Sequence, residues 1–174
     1  MPKSIAILGP ESTGKSQLAF ELAANYQANW VPEYARKYLT ENPHPYTIAD
    51  VEIIAEKQFE LNQFEKAKNS TIWFADTEML VCSIWTKIVF GCVPEKIQQL
   101  VKLQHFDFYL LCNIDLPWQS DPLREHPHRR EEIFELYKMY LSANQWPFAV
   151  ISGFGKQRIQ HAIASIEHHF NQIQ

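Results

Sequence analysis

Short apolar runs of β type alternate with longer stretches whose apolar residues recur at helical spacing along the whole of this chain. The β-type runs fall at residues 4–8, 29–31, 72–75, 106–113 and 148–152, each rich in Ile, Val, Phe, Leu or Trp. Between the first two, Leu18, Ala19, Leu22, Ala23 and Tyr26 mark a helix. Thr47-Ile48-Ala49-Asp50 has the spacing of a capping box and opens a long helix with Val51, Ile54, Ala55, Gln58 and Leu61 inward. Leu80, Ile84, Trp85 and Ile88 form a stripe that Gly91 ends, and Pro94 starts a short helix. Two more helices carry Ile133, Phe134, Tyr137 and Leu141 near 129–143, then Ile159, Ile163, Ile166 and Phe170. This alternation, without internal repeats, predicts an α/β fold: a mostly parallel five-stranded sheet with helices on both faces, in a single domain over 1–174.

The loop after the first β run sharpens that expectation. Of the five glycines, two frame Gly9-Pro10-Glu11-Ser12-Thr13-Gly14-Lys15-Ser16, which fits the phosphate-loop pattern GxxxxGK[ST] between a strand and a helix. The first amides of a helix lack intrahelical partners and, with the helix dipole, attract anions. Gly9 and Gly14 let the backbone approach a triphosphate, and Glu11, Ser12, Thr13 and Gln17 complete its surroundings. Lys15 reaches the β and γ oxygens, and the Ser16 hydroxyl ligates Mg²⁺. The expected architecture is thus the three-layer P-loop NTPase fold, with ATP and Mg²⁺ as cofactors.

Composition narrows the partners. A net charge of -4 speaks against a nucleic-acid-binding face, and no apolar stretch reaches the length of a membrane span. With no signal-type N-terminal segment, the expectation is a cytoplasmic protein without nucleic-acid or membrane partners; the sequence leaves oligomeric state open. Cys82, Cys92 and Cys112 lack CxxC spacing and read as reduced thiols.

In an open parallel sheet, ligands sit beyond the carboxyl ends of the strands. After the second run, Glu33 and Arg36 stand three residues apart at a helix start, either facing the cleft or paired on the surface. The third run ends in Asp76, suited to the Mg²⁺ shell or to an acceptor's proton, and equally to capping a helix. Glu78 reads as complementing that helix's dipole. The fourth run is followed by the longest polar insertion, about 116–130, read as a lid with Arg124 as the arginine that closes over the phosphates. Arg129 and Arg130 fit lid or helix surface equally, and His126 and His128 read as solvated. Gly153 follows the fifth run, where topology puts the base of a nucleotide.

The stretches GPESTGKS at 9–16, VPEYAR at 31–36, FADTE with Trp85 at 74–85, and DLPWQSDPLR at 115–124 together resemble the ribosylnicotinamide kinase domain of NadR-type bifunctional proteins. The resemblance implies transfer of the γ-phosphate of ATP to the 5′-hydroxyl of nicotinamide riboside, a small-molecule acceptor. It implies catalytic roles for Lys15, Asp76, Glu33 and Arg124, metal binding by Ser16 and Asp76, and acceptor binding by Glu33, Tyr34, Arg36, Asp76, Trp85 and Trp118. A pyridinium ring favours aromatic faces such as Trp85, Trp118 and Tyr34, although packing alone also explains Trp85. Pro122 stands where lids of the family often carry Gly and implies a stiffer flap. A kinase of another nucleoside or of a nucleoside monophosphate fits the same elements. A nucleotide switch fits less well, because Asn-Lys-x-Asp is absent and no helical lid domain of an AAA-type motor is visible.

Overall fold

In the computed structural model, which describes residues 2–68 and 70–172, five strands form one sheet in the order β2-β3-β1-β4-β5. The strands are β1 Lys3–Leu8, β2 Asn29–Val31, β3 Ile72–Asp76, β4 Phe108–Cys112 and β5 Phe148–Ile151. Every pairing is parallel, so the sheet is wholly rather than mostly so. The connecting helices are α1 Lys15–Tyr26, α2 Tyr34–Glu41, α3 Ile48–Lys66, α4 Met79–Phe90, α5 Glu95–Leu103, α6 Arg130–Ala143 and α7 Gly155–Asn171.

Burial on both faces explains why the strands read as continuous apolar runs. Along β1, Ile5 and Ile7 face the layer of α1 and α7, against Leu18, Leu22 and Ile166. Ala6 and Leu8 face the other way, toward Leu80 and Ile84 of α4 and Tyr137 and Leu141 of α6. A third cluster joins α3, α4 and α5 through Val51, Met79 and Ile97. Strand β4 is shorter at both ends than its apolar run. Asp107 is tied to the start of β1 instead, its carboxylate accepting from the Ser4 amide and hydroxyl at 2.7 Å each.

Register then positions the chemistry. Ile7 pairs with Asp76, Leu8 with Leu111, and Val31 with Ala75, so the carboxyl ends of β2, β3, β1 and β4 lie along one edge. The connections leaving the adjacent strands β1 and β3 run in opposite directions, to β2 and to β4, which makes the crevice between them the place where open α/β sheets bind ligands.

At the start of α3, the Thr47 hydroxyl accepts from the Asp50 amide while the Asp50 carboxylate accepts from the Thr47 amide at 2.7 Å, a closed capping box. Tyr46, one residue earlier, packs on the cluster containing Val51, the arrangement of a hydrophobic staple. Thr47→Ala is expected to lower unfolding free energy by about 1 kcal/mol, read as a shifted urea midpoint without a changed slope.

Candidate active site

The turn after β1 is built around close approach. Gly9 has φ +141°, and a Cβ there would stand 2.9 Å from the Cys112 carbonyl oxygen. Close approach to the backbone thus fixes glycine at position 9, while at Gly14 it is the left-handed φ of +74° that favours it. The buried Thr13 hydroxyl donates to the Pro10 carbonyl at 2.7 Å, and the Lys15 ammonium donates to the same oxygen at 3.0 Å. The loop therefore opens onto the amino end of α1 with its cation already folded inward. Gln17 is exposed and bonded to Glu21, and Ser16 is exposed at the helix start.

Asp76 ends β3 beside this loop at 1 % exposure, and its Oδ1 has no hydrogen-bond partner among the described residues. Burial raises its carboxyl well above the usual range, Glu33 adds to that, and Ser16, Lys15 and Arg36 pull it back. The sequence-predicted Asp76, Ser16, Lys15, Glu33 and Arg36 are thus close enough to act on one another. The alternative of Asp76 as a helix cap is not what forms. Glu78 caps α4, both its oxygens accepting from the Leu80 amide at 2.9 Å, so it does more than complement a dipole.

From Lys15 a cleft of about 880 Å³ runs between α2, α4 and the 121–126 segment, within the usual size of small-molecule sites. Glu33, Arg36 and Trp85 line it. So does Tyr46, to which the sequence pattern assigns no role. The Trp85 indole donates to the Tyr46 hydroxyl at 3.1 Å, the rings meet edge to face at 5.1 Å, and the Tyr46 hydroxyl donates to Glu125. Burial, with the Glu125 bond, raises the Tyr46 pKa and keeps its proton in place as a donor. Tyr34 and Trp118 do not line the cleft. Tyr34 instead stands beside Tyr38, with its amide on Gln58 at 2.8 Å.

The 116–130 segment lies over the phosphate loop. Glu11 accepts from the amides of Glu125 and His126 at 2.9–3.2 Å, so its carboxylate anchors that segment. Arg124 donates to the Ser12 hydroxyl at 3.0 Å and the Gln119 carbonyl at 2.7 Å. Arg130 is half-buried against the Ser12 and Leu116 carbonyls, which removes it from the helix surface, whereas Arg129 pairs with Glu132. Arg36 reaches Asp121 at 3.0 Å, closing the cleft's other side. An ion pair this exposed contributes about 0–1 kcal/mol and opens easily.

Gly153, after β5, has φ +106° and donates its amide to Asp115 at 2.7 Å. Arg158, which the sequence reading leaves out, is buried and donates to Asp115 at 2.8 Å and to the Thr13 carbonyl at 2.7 Å. A signal for it exists: Arg158, Ala162 and Ile166 share one buried helical row, and a guanidinium there needs partners.

Residues 4–158 match the protein family described as AAA domain. The chain belongs to that family. This AAA-domain chain is also 29% identical over 126 residues to the trifunctional NAD biosynthesis/regulator protein NadR of Escherichia coli (strain K12), covering 70% of this chain and 31% of the relative. The NadR of Salmonella typhimurium matches at 29% over the same span. The chain spans about a third of the length of these curated relatives. In fold, the domain is similar to NadR in a crystal structure with NR, with TM-score 0.80 and 22% identity over 97% of this chain and 51% of that one. It is similar as well to the deoxyadenosine kinase from M. mycoides with bound dATP, with TM-score 0.66 and 17% identity over 95% of this chain and 99% of that one. The fold of this AAA domain is therefore that of P-loop kinases. Among its described residues, no helix is long and apolar enough to cross a membrane.

Burial raises the Glu78 carboxyl from 4.5 to about 7. The native chain thus keeps a proton that the unfolded chain releases, and Asp76 is shifted in the same direction. Their contribution to stability is complete below the ordinary carboxylate range and is lost as pH rises through about 7. Urea midpoints should fall between pH 5 and pH 8, roughly the window set by that shift, and Glu78→Gln should flatten the fall. A wild-type pH slope in the Glu78→Gln variant would remove Glu78 as its source.

Proposed function

We propose that this chain is an ATP-dependent nucleoside kinase that phosphorylates the 5′-hydroxyl of nicotinamide riboside to give nicotinamide mononucleotide. The carrying observation is the single cleft that joins Lys15 and the phosphate loop to the Tyr46–Trp85 aromatic pair. Aromatic faces attract a cationic pyridinium ring, and the acids Glu11, Glu33, Asp121 and Glu125 around the same cleft favour positive charge. Similarity to NadR supports the choice of acceptor.

In this reading the loop amides and Lys15 hold the phosphates, and Arg124 and Arg130 stand ready to neutralise charge on the transferred group. Gly153 flanks the base. Glu33 and Arg36 orient the acceptor's hydroxyl, with the rings of Tyr46 and Trp85 holding its far end. Ser16 and Asp76 fit Mg²⁺, because the buried Asp76 oxygen is a hard, unpartnered donor at the edge of the phosphate site. The ion, when bound, supplies charge neutralisation at the phosphate oxygens. Transfer through a loose transition state depends on positioning and charge more than on a strong base. Asp76 therefore matters more than Glu33.

A second reading, a kinase of another nucleoside, is favoured by the similarity to the whole length of a deoxyadenosine kinase. ADP release from Mg-ATP, with and without nicotinamide riboside and with the product weighed by mass spectrometry, separates the two. Acceptor-dependent ADP with nicotinamide mononucleotide is expected; stimulation by a different nucleoside alone would transfer the assignment to it. Asp76→Ala should lower turnover by on the order of 10²–10³-fold and Glu33→Ala by less. Wild-type turnover in the Asp76→Ala variant would take Asp76 out of the mechanism.

A further inference from the structure

The Asp115–Arg158 pair lies behind the phosphate loop, away from the acceptor cleft. The two side chains are 23% and 6% exposed, and their charged atoms meet at 2.8 Å. Each partner has a second attachment. Arg158 donates to the Thr13 carbonyl at 2.7 Å and the Gly153 carbonyl at 3.1 Å, while Asp115 accepts from the Gly153 amide at 2.7 Å. One ion pair thus grips both polar groups of Gly153 and the last peptide carbonyl before Gly14.

Stability alone is a poor account of this arrangement. Desolvating two charges costs about as much as their attraction returns, so an apolar pair of similar volume would serve a core as well. Geometry offers a better one. In a planar trans peptide the C=O and N–H point in opposite directions. Holding the Thr13 oxygen toward α7 therefore aims the Gly14 amide away from it, on the side where the amides of a phosphate loop meet an anion. At the other end, Gly153 is held at φ +106° beside the exposed ring of Phe154.

We propose that Asp115 and Arg158 are positioning residues that lock the loop flanking the base to the phosphate loop, so that both ends of a nucleoside triphosphate meet one pre-set surface. The inference rests on the nucleotide-binding part of the proposed function and not on its acceptor. Arg158 acts mainly on the phosphate end through Thr13, and Asp115 mainly on the base end through Gly153.

Calorimetric titration of ADP and of inorganic tripolyphosphate into wild type, Arg158→Lys and Asp115→Asn tests it, with melting temperatures measured alongside. The Arg158→Lys change keeps the charge but leaves a side chain that cannot reach three acceptors at once. It should weaken both ligands by about tenfold, the loss of one charge-assisted hydrogen bond. Asp115→Asn should weaken ADP by a similar factor and tripolyphosphate distinctly less. In turnover, the KM for ATP should rise in both variants with the acceptor KM unchanged. Wild-type affinity for both ligands in both variants, or equal losses for ATP and acceptor alongside a lowered melting temperature, would overturn the coupling and leave a purely structural ion pair. Failure of the wild type to bind either ligand would overturn the nucleotide reading itself, and the coupling with it.

Discussion

The crowding of two chain segments, the turn after β1 against the end of β4, governs the site. A residue with a side chain at position 9 would collide with the Cys112 backbone, so the parallel pairing of β1 with β4 and the tight turn above it are one constraint. From that turn follow the inward fold of Lys15, the hydroxyl bond of Thr13, and the exposed amino end of α1. The lid in turn uses the loop as its floor: Glu11 and Ser12 are the points on which Arg124, Glu125 and His126 rest.

Charge is arranged around that floor in opposition. Asp76 stands at the end of a buried strand where its ionised form is disfavoured, and the cations nearest it belong to the loop and to α2. Such a carboxylate is held by the packing of β3 in a position its own solvation would not choose. Strained electrostatics of this kind mark places where a ligand completes the balance. Glu78, two residues on, has the same burial but answers it locally, by capping α4.

Sequence legibility follows the range of the interactions involved. The phosphate loop, the capping box at Thr47 and the helix end at Gly91 are local patterns, each set by residues a few positions apart, and each forms where the pattern puts it. The five strands and their parallel pairing need no more than alternation and burial. What stays hidden depends on distant partners. Tyr46 goes unnoticed because its meaning comes from Trp85 and Glu125, far along the chain. Arg158 goes unnoticed because its partners Thr13 and Asp115 are remote in sequence. The lid arginines can be named but not ranked, since only folding shows that Arg130 turns inward and Arg129 outward.

The strand order has a consequence for inheritance. Glu33, Arg36, Tyr46 and Trp85 reach the cleft beside the phosphate loop from the β2 and β3 side of β1, while Asp121, Glu125, Ile133 and Tyr137 close it from segments that follow β4. The Gly153 loop comes from the β5 side, braced by α7. Under the proposed function, substitutions at Glu33, Arg36, Tyr46 or Trp85 can therefore alter which acceptor fits without touching the Arg158 brace of the Gly153 loop. If the chain acts as proposed, a lineage built on this frame can change its acceptor while keeping its phosphate donor.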